Sequence, residues 1–144
     1  MNRKVLLTVL VLCLVLLLTA CGGGGGDQAA SEGSESSTSV GDAANGKELY
    51  EMTVIGSASA PGCITCHSLE PDVVLVGPSH AGVGARAATY QEGVDAETYL
   101  RESITDPDAH IVEGFTPGVM YQNYAEDLTA RQINDLVAYL ITLQ

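Results

Sequence analysis

Tryptophan is absent from this 144-residue chain, phenylalanine occurs once and tyrosine six times. A small domain with so few large side chains has little to fill a core with, so something else must supply apolar bulk. Basic residues are also few: six Lys and Arg stand against eighteen Asp and Glu. This balance argues against nucleic acid, whose phosphates need Lys and Arg, and against electrostatic adhesion to anionic lipid. A basic partner is the natural counterpart, although an acidic surface can also serve solubility alone. Cysteine is too scarce and too unevenly placed for a disulfide framework: Cys13 lies in an apolar run, Cys21 ends it, and only Cys63 and Cys66 lie in the body. No strand alternation and no internal repeat is visible. What is present in quantity is hydrophobic residue, 46% of the chain, which excludes a disordered protein.

Part of that hydrophobicity is an address. Asn2, Arg3 and Lys4 precede an almost unbroken apolar run from Val5 to Leu17, and Leu18, Thr19, Ala20 and Cys21 lead into polyglycine. This is the layout of a secretion signal. Its ending resembles the lipobox of bacterial lipoproteins, in which a Leu, two small residues and Cys direct lipid onto the Cys sulfur and cleavage just before it. The resemblance implies a signal peptide over 1–20, lipidation at Cys21, and a cell-membrane location with the domain on the extracytoplasmic face. An uncleaved transmembrane helix is the alternative, but a bilayer core needs about 20 apolar residues and this run is shorter. With 1–20 removed, four basic residues face eighteen acidic ones, a net charge of −14. Residues 21–41 are rich in Gly, Ser and Glu with no hydrophobic period, and read as a flexible tether with an end-to-end distance on the order of 25 Å.

The remaining residues, 42–144, read as all-α. Ala43, Ala44, Leu49, Tyr50 and Val54 suit a first helix from Asp42, a plausible N-cap, to about Val54. Gly46 interrupts it and points to close approach of another backbone. Asp95 to Ile104 reads as a helix stopped before Pro107. Thr129 with Gln132 forms a capping box ahead of Ile133, Leu136, Val137 and Leu140, which follow at the spacing of an amphipathic helix. Between them lie long loops with Gly77-Pro78, Asp106-Pro107 and the stretch Gly114 to Gly118. Loops of this length need an organising centre such as a bound cofactor.

Cys63-Ile64-Thr65-Cys66-His67 supplies one. Two thiols three residues apart on one turn can add to the two vinyl groups of a porphyrin, and the adjacent His67 then sits under the iron. One haem c is the cofactor this motif implies. Two other chemistries use the same cysteines. A dithiol redox site needs a lowered thiol pKa and an alternating strand and helix pattern that is missing here. Structural zinc needs four ligands, so Cys63, Cys66 and His67 would require His80 or His110 at irregular spacing.

Taken in order, these features resemble a class I, or mitochondrial-type, cytochrome c. Gly46 with Tyr50 resembles the glycine and aromatic of that family's first helix, and Tyr139 the aromatic of the last helix that meets them. Gly77-Pro78 resembles the loop whose proline carbonyl accepts a hydrogen bond from the proximal histidine. The resemblance implies that Pro78 orients His67. It also implies that Met120, after the loop Gly114 to Val119, is the second axial ligand. Tyr121 departs from the pattern, since the family commonly has Pro there. His80 and His110 are alternative ligands, otherwise solvated loop residues, and Met52 on the first helix is a weaker one. The string from Ser79 through Arg86 and Ala87, then Tyr99-Leu100, Ser103-Ile104 and Pro107, is similar to lipid-anchored or fused cytochrome domains of respiratory complexes. Examples are the monohaem subunit of alternative complex III and the cytochrome subunit of caa3-type oxidases. No copper-binding domain accompanies it in these residues, so a fused oxidase subunit is not expected.

The expected function is therefore single-electron transfer in a membrane-bound respiratory or photosynthetic chain, with redox proteins, among them alternative complex III or a terminal oxidase, as partners. An electron-transfer protein rather than an enzyme is expected, either free or as a subunit of an oxidoreductase complex. The rival is a haem enzyme or gas sensor with an open sixth coordination site, and a third reading is a purely structural subunit.

Overall fold

A computed structural model describes residues 41–144. The expected signal peptide, Cys21 and all of the expected tether except Gly41 lie outside the described residues. Five helices carry the domain: α1 (Ala43–Glu51), α2 (Val83–Arg86), α3 (Ala96–Thr105), α4 (Tyr124–Asp127) and α5 (Ala130–Thr142). Among the described residues no helix is long and apolar enough to cross a membrane.

The helix starts are set by side chains that satisfy orphan amide groups. Asp42 accepts from the amides of Ala44 and Asn45 at 2.8 and 3.4 Å, and Asp95 from that of Thr98 at 3.0 Å. At α5 both halves of the capping box are made: Thr129 Oγ1 accepts from the Gln132 amide and Gln132 Oε1 from the Thr129 amide. The apolar stripe of α5 then buries Ile133, Leu136, Val137 and Leu140. Each contributes roughly 1.5–3 kcal/mol relative to exposure.

The first and last helices cross at glycine. A Cβ on Gly46 would lie 1.9 Å from the Asp135 carbonyl oxygen, so only hydrogen allows the two backbones this distance. Beside the crossing, the Tyr50 and Tyr139 rings meet edge to face with centroids 5.3 Å apart. The buried Asp135 carboxylate accepts from the Asp42 amide at 2.7 Å, placing negative charge at the N-terminus of α1.

Two features depart from the expectation. α1 stops at Glu51, and Met52 is already extended with ψ 141°. Val54–Ile55 (β1) instead pairs antiparallel with Ala60–Pro61 (β2), the chain reversing through left-handed Gly56 and Ser59. Gly62 closes the pairing by donating to the Thr53 carbonyl at 2.9 Å. This two-residue ladder delivers the chain to Cys63.

Candidate haem site

The motif occupies a single 3-10 turn, Cys63–Thr65, in which the amides of Cys66 and His67 both donate to the Cys63 carbonyl, at 3.1 and 2.9 Å. Both cysteines are unpaired and line one cavity of about 430 Å³ together with His67. That size lies within the roughly 300–1,000 Å³ of small-molecule sites, whereas close-packed cores hold few voids larger than a water. Leu100, Ile104, Val83 and Leu140 are among its apolar lining. A flat apolar group held through two thiols fits this enclosure, and haem c is such a group.

Residues 76 to 80 fold back along the motif. The amides of Val76 and Gly77 donate to the Cys66 carbonyl at 3.2 and 2.9 Å, and that of His80 to the Ser68 carbonyl at 2.8 Å. This pairing brings the Pro78 carbonyl to 2.8 Å from His67 Nδ1. Nδ1–H donates there, which leaves the Nε2 lone pair as the free ligand atom. His67 is only 8% exposed. Burial lowers its pKa below the usual histidine value while the Pro78 bond pulls it upward, and a neutral imidazole is the form that ligates metal.

The chemistry of the thiols argues against the rival uses of the motif. Burial raises the Cys63 thiol to about 11, the opposite of the depressed pKa of a reactive dithiol. Among the described residues no group of three or more His, Cys, Asp and Glu is arranged to hold a metal ion, as structural zinc would require.

Met120 lines the same cavity and is half-buried against the core. Its loop is shaped by left-handed Gly114 and Gly118 and tied down by polar contacts. Asp108 Oδ1 accepts from the Gly118 amide at 2.9 Å, and Gln122 Nε2 donates to the Met120 carbonyl at 2.8 Å. Tyr121, which departs from the family's proline, donates its hydroxyl to Asp127. A tethered phenol thus stands where ring rigidity was missing.

The alternative ligands separate. Met52 is exposed at the end of α1 and is not among the cavity residues. His110 reaches the cavity wall, edge-on to Tyr99 at 5.5 Å. His80 is not a solvated loop residue: it stacks on His67 and lies 3.1 Å from the Tyr50 hydroxyl. Burial first, then the neighbouring His67 and Arg86, hold its pKa well below the usual histidine value. Sequence reasoning missed this stack, because a histidine following Gly-Pro-Ser carries no spacing signal. It named Arg86 only as part of a family-like string and missed its role: Arg86 donates to the carbonyls of Ala81 and Ser79 and from Nε to Tyr90, bracing the loop that bears Pro78.

Fold and site together define a small helical domain closed around a covalently carried haem. The sequence profile of the cytochrome c family matches residues 43–144, and the chain belongs to that family. Its members bind haem c covalently and are typically electron carriers rather than enzymes. No curated protein matches the chain significantly.

Proposed function

We propose that this protein is a one-electron carrier in which Cys63 and Cys66 would hold the haem and His67 and Met120 would ligate its iron. The observation that carries the reading is that one imidazole nitrogen, freed by the Pro78 bond, and one thioether line the same largely apolar cavity. The haem supplies the reversible one-electron couple. The protein's residues do the rest. His67 is oriented by Pro78, Met120 is presented by a loop pinned through Asp108 and Gln122, and the apolar wall keeps water away, which favours the reduced state. Val76 and Val119 line the cavity and are 52% and 55% exposed, so its mouth offers an apolar edge for contact with another redox protein. The test is carbon monoxide added to the dithionite-reduced native protein. An unchanged spectrum is expected; rapid binding would favour the sensor or enzyme with an open site.

Lipidation at Cys21 places the carrier on the extracytoplasmic face of a membrane, within reach of a respiratory or photosynthetic complex. The support is the lipobox-like Leu18-Thr19-Ala20-Cys21. Mass spectrometry of the mature N-terminus should find Cys21 first and acylated, with more than one chain because one holds only marginally. A chain still beginning at Met1 would sink this.

The partner's docking face is basic. Residues 41–144 hold fifteen acidic and four basic side chains, and each basic one is engaged within the domain. Lys47, Arg101 and Arg131 pair with Glu51, Glu97 and Asp135, and Arg86 with backbone carbonyls. For the freely diffusing domain, electron-transfer rates with a basic partner should fall about tenfold or more from low to high salt, since steering raises association rates by roughly 10–10³. A rate independent of ionic strength refutes it.

A further inference from the structure

We propose that His80 is a positioning residue for the proximal ligand, its ring, braced by the Tyr50 hydroxyl, a flat plate that fixes the plane of the His67 imidazole. The inference rests on the assignment of His67 as an iron ligand. The two rings lie face to face, with centroids 3.9 Å apart and planes within 16°. Pro78 alone does not fix that plane. One hydrogen bond from Nδ1 holds an edge of the ring and leaves it free to rock about the N–H···O line. A flat surface pressed on the face removes this freedom.

The plate is itself anchored on several sides. The His80 amide donates to the Ser68 carbonyl at 2.8 Å, one residue beyond the ring it supports. Its Nδ1 lies 3.1 Å from the Tyr50 hydroxyl, which also reaches the His67 carbonyl at 3.4 Å. Tyr50 is fully buried and meets Tyr139 edge to face, so the support runs back to the α1–α5 crossing. Arg86 holds the carbonyls of Ser79 and Ala81, the two residues flanking His80. An aliphatic side chain at this position fills space but presents no plane, and it makes no bond to Tyr50.

The plane of an axial imidazole sets how the ferric d orbitals split. It is read by the g-values of the ferric electron paramagnetic resonance spectrum and by the order of the haem-methyl proton shifts. Loss of packing alone changes stability and leaves these in place. The experiment compares the full-length haem-loaded protein with His80→Leu, His80→Phe and Tyr50→Phe. His80→Leu should keep covalent haem and a low-spin spectrum while its g-values and methyl order change. His80→Phe restores a flat face and should return both to the native pattern. Tyr50→Phe should broaden the g-distribution without displacing its centre, which keeps the proposal testable if His80→Leu does not accumulate. Native g-values and methyl order in His80→Leu overturn it, as does an unbroadened Tyr50→Phe, or a Phe variant that matches Leu rather than native. Resonances of the His67 ring, assigned by nitrogen-15 labelling in the native protein, separate the two levels. If they lack hyperfine shifts, the ligand assignment fails and the plate with it. If they are shifted while His80→Leu is native-like, only the plate fails.

Discussion

Replacing Met120 with Leu is expected to leave the haem covalently attached and to open the iron to carbon monoxide. Attachment depends on Cys63 and Cys66, which sit on a turn separate in the chain from the Met120 loop. The variant should therefore still show haem-bound protein after denaturation. Leu keeps the apolar volume of the side chain and removes the sulfur, so the loop ties from Asp108 to Gly118 and from Gln122 to the Met120 carbonyl have no reason to break. The loss is thus confined to the ligand atom. Thioether ligation raises the potential of a haem, so the potential should fall, the ferric near-infrared methionine band should vanish, and carbon monoxide binding to the reduced form should go from negligible to complete. If band and potential persist, Met120 is not the ligand. His110, which shares the cavity, and His80 would then be tested individually, His80 first having to leave its stack on His67.

The chemistry of the site was legible in the sequence wherever it depended on covalent spacing. Cys63, Cys66 and His67 are close in the chain, and one turn places them together whatever the rest of the fold does. The helices were legible where capping and period agreed: α3 runs Ala96–Thr105 with Asp95 as its cap, and α5 begins at the expected box. What was illegible depended on contacts between distant segments. The short helices α2 and α4 fall where only loop was read, since four residues are too few to show a period. Likewise, Gly84 is one glycine among several in the sequence, yet a Cβ there would lie 2.3 Å from the Ile141 carbonyl, a constraint set by α2 packing on α5. His80 is the sharpest case. Its environment comes from α1 through Tyr50, from the motif through His67 and from α2 through Arg86, three segments whose meeting has no local signature.

Gly77→Ala should damage the proximal ligand from the outside and change the iron's properties more than the protein's stability. A Cβ at this position would stand 2.4 Å from His67 Cε1, 2.8 Å from Nδ1 and 3.0 Å from Nε2, so the methyl collides with the Cε1 side of the ring. Side-chain ends usually yield to such a collision at little cost. This ring has nowhere to yield, being held at one edge by the Pro78 carbonyl at 2.8 Å and on one face by His80 at 3.9 Å. The clash therefore stretches or breaks the Nδ1–H bond to Pro78. That bond pushes electron density toward Nε2, and losing it makes His67 a weaker donor. Loss of such an orienting partner typically costs about 10–100-fold in metal-ligand affinity, so the iron–histidine bond should weaken and the potential rise. Gly84→Ala is the matched control. Its Cβ would meet the Ile141 carbonyl oxygen at 2.3 Å, a backbone clash of similar severity whose nearest atoms all belong to Ile141. Overpacking there should cost about 1–3 kcal/mol in denaturant unfolding and leave the potential near native. Gly77→Ala should reverse this pattern, with a shifted potential and a weakened iron–histidine stretch in the resonance Raman spectrum of its five-coordinate Met120→Leu background. Equal potentials in the two glycine variants would show that the Pro78 bond does not tune the haem.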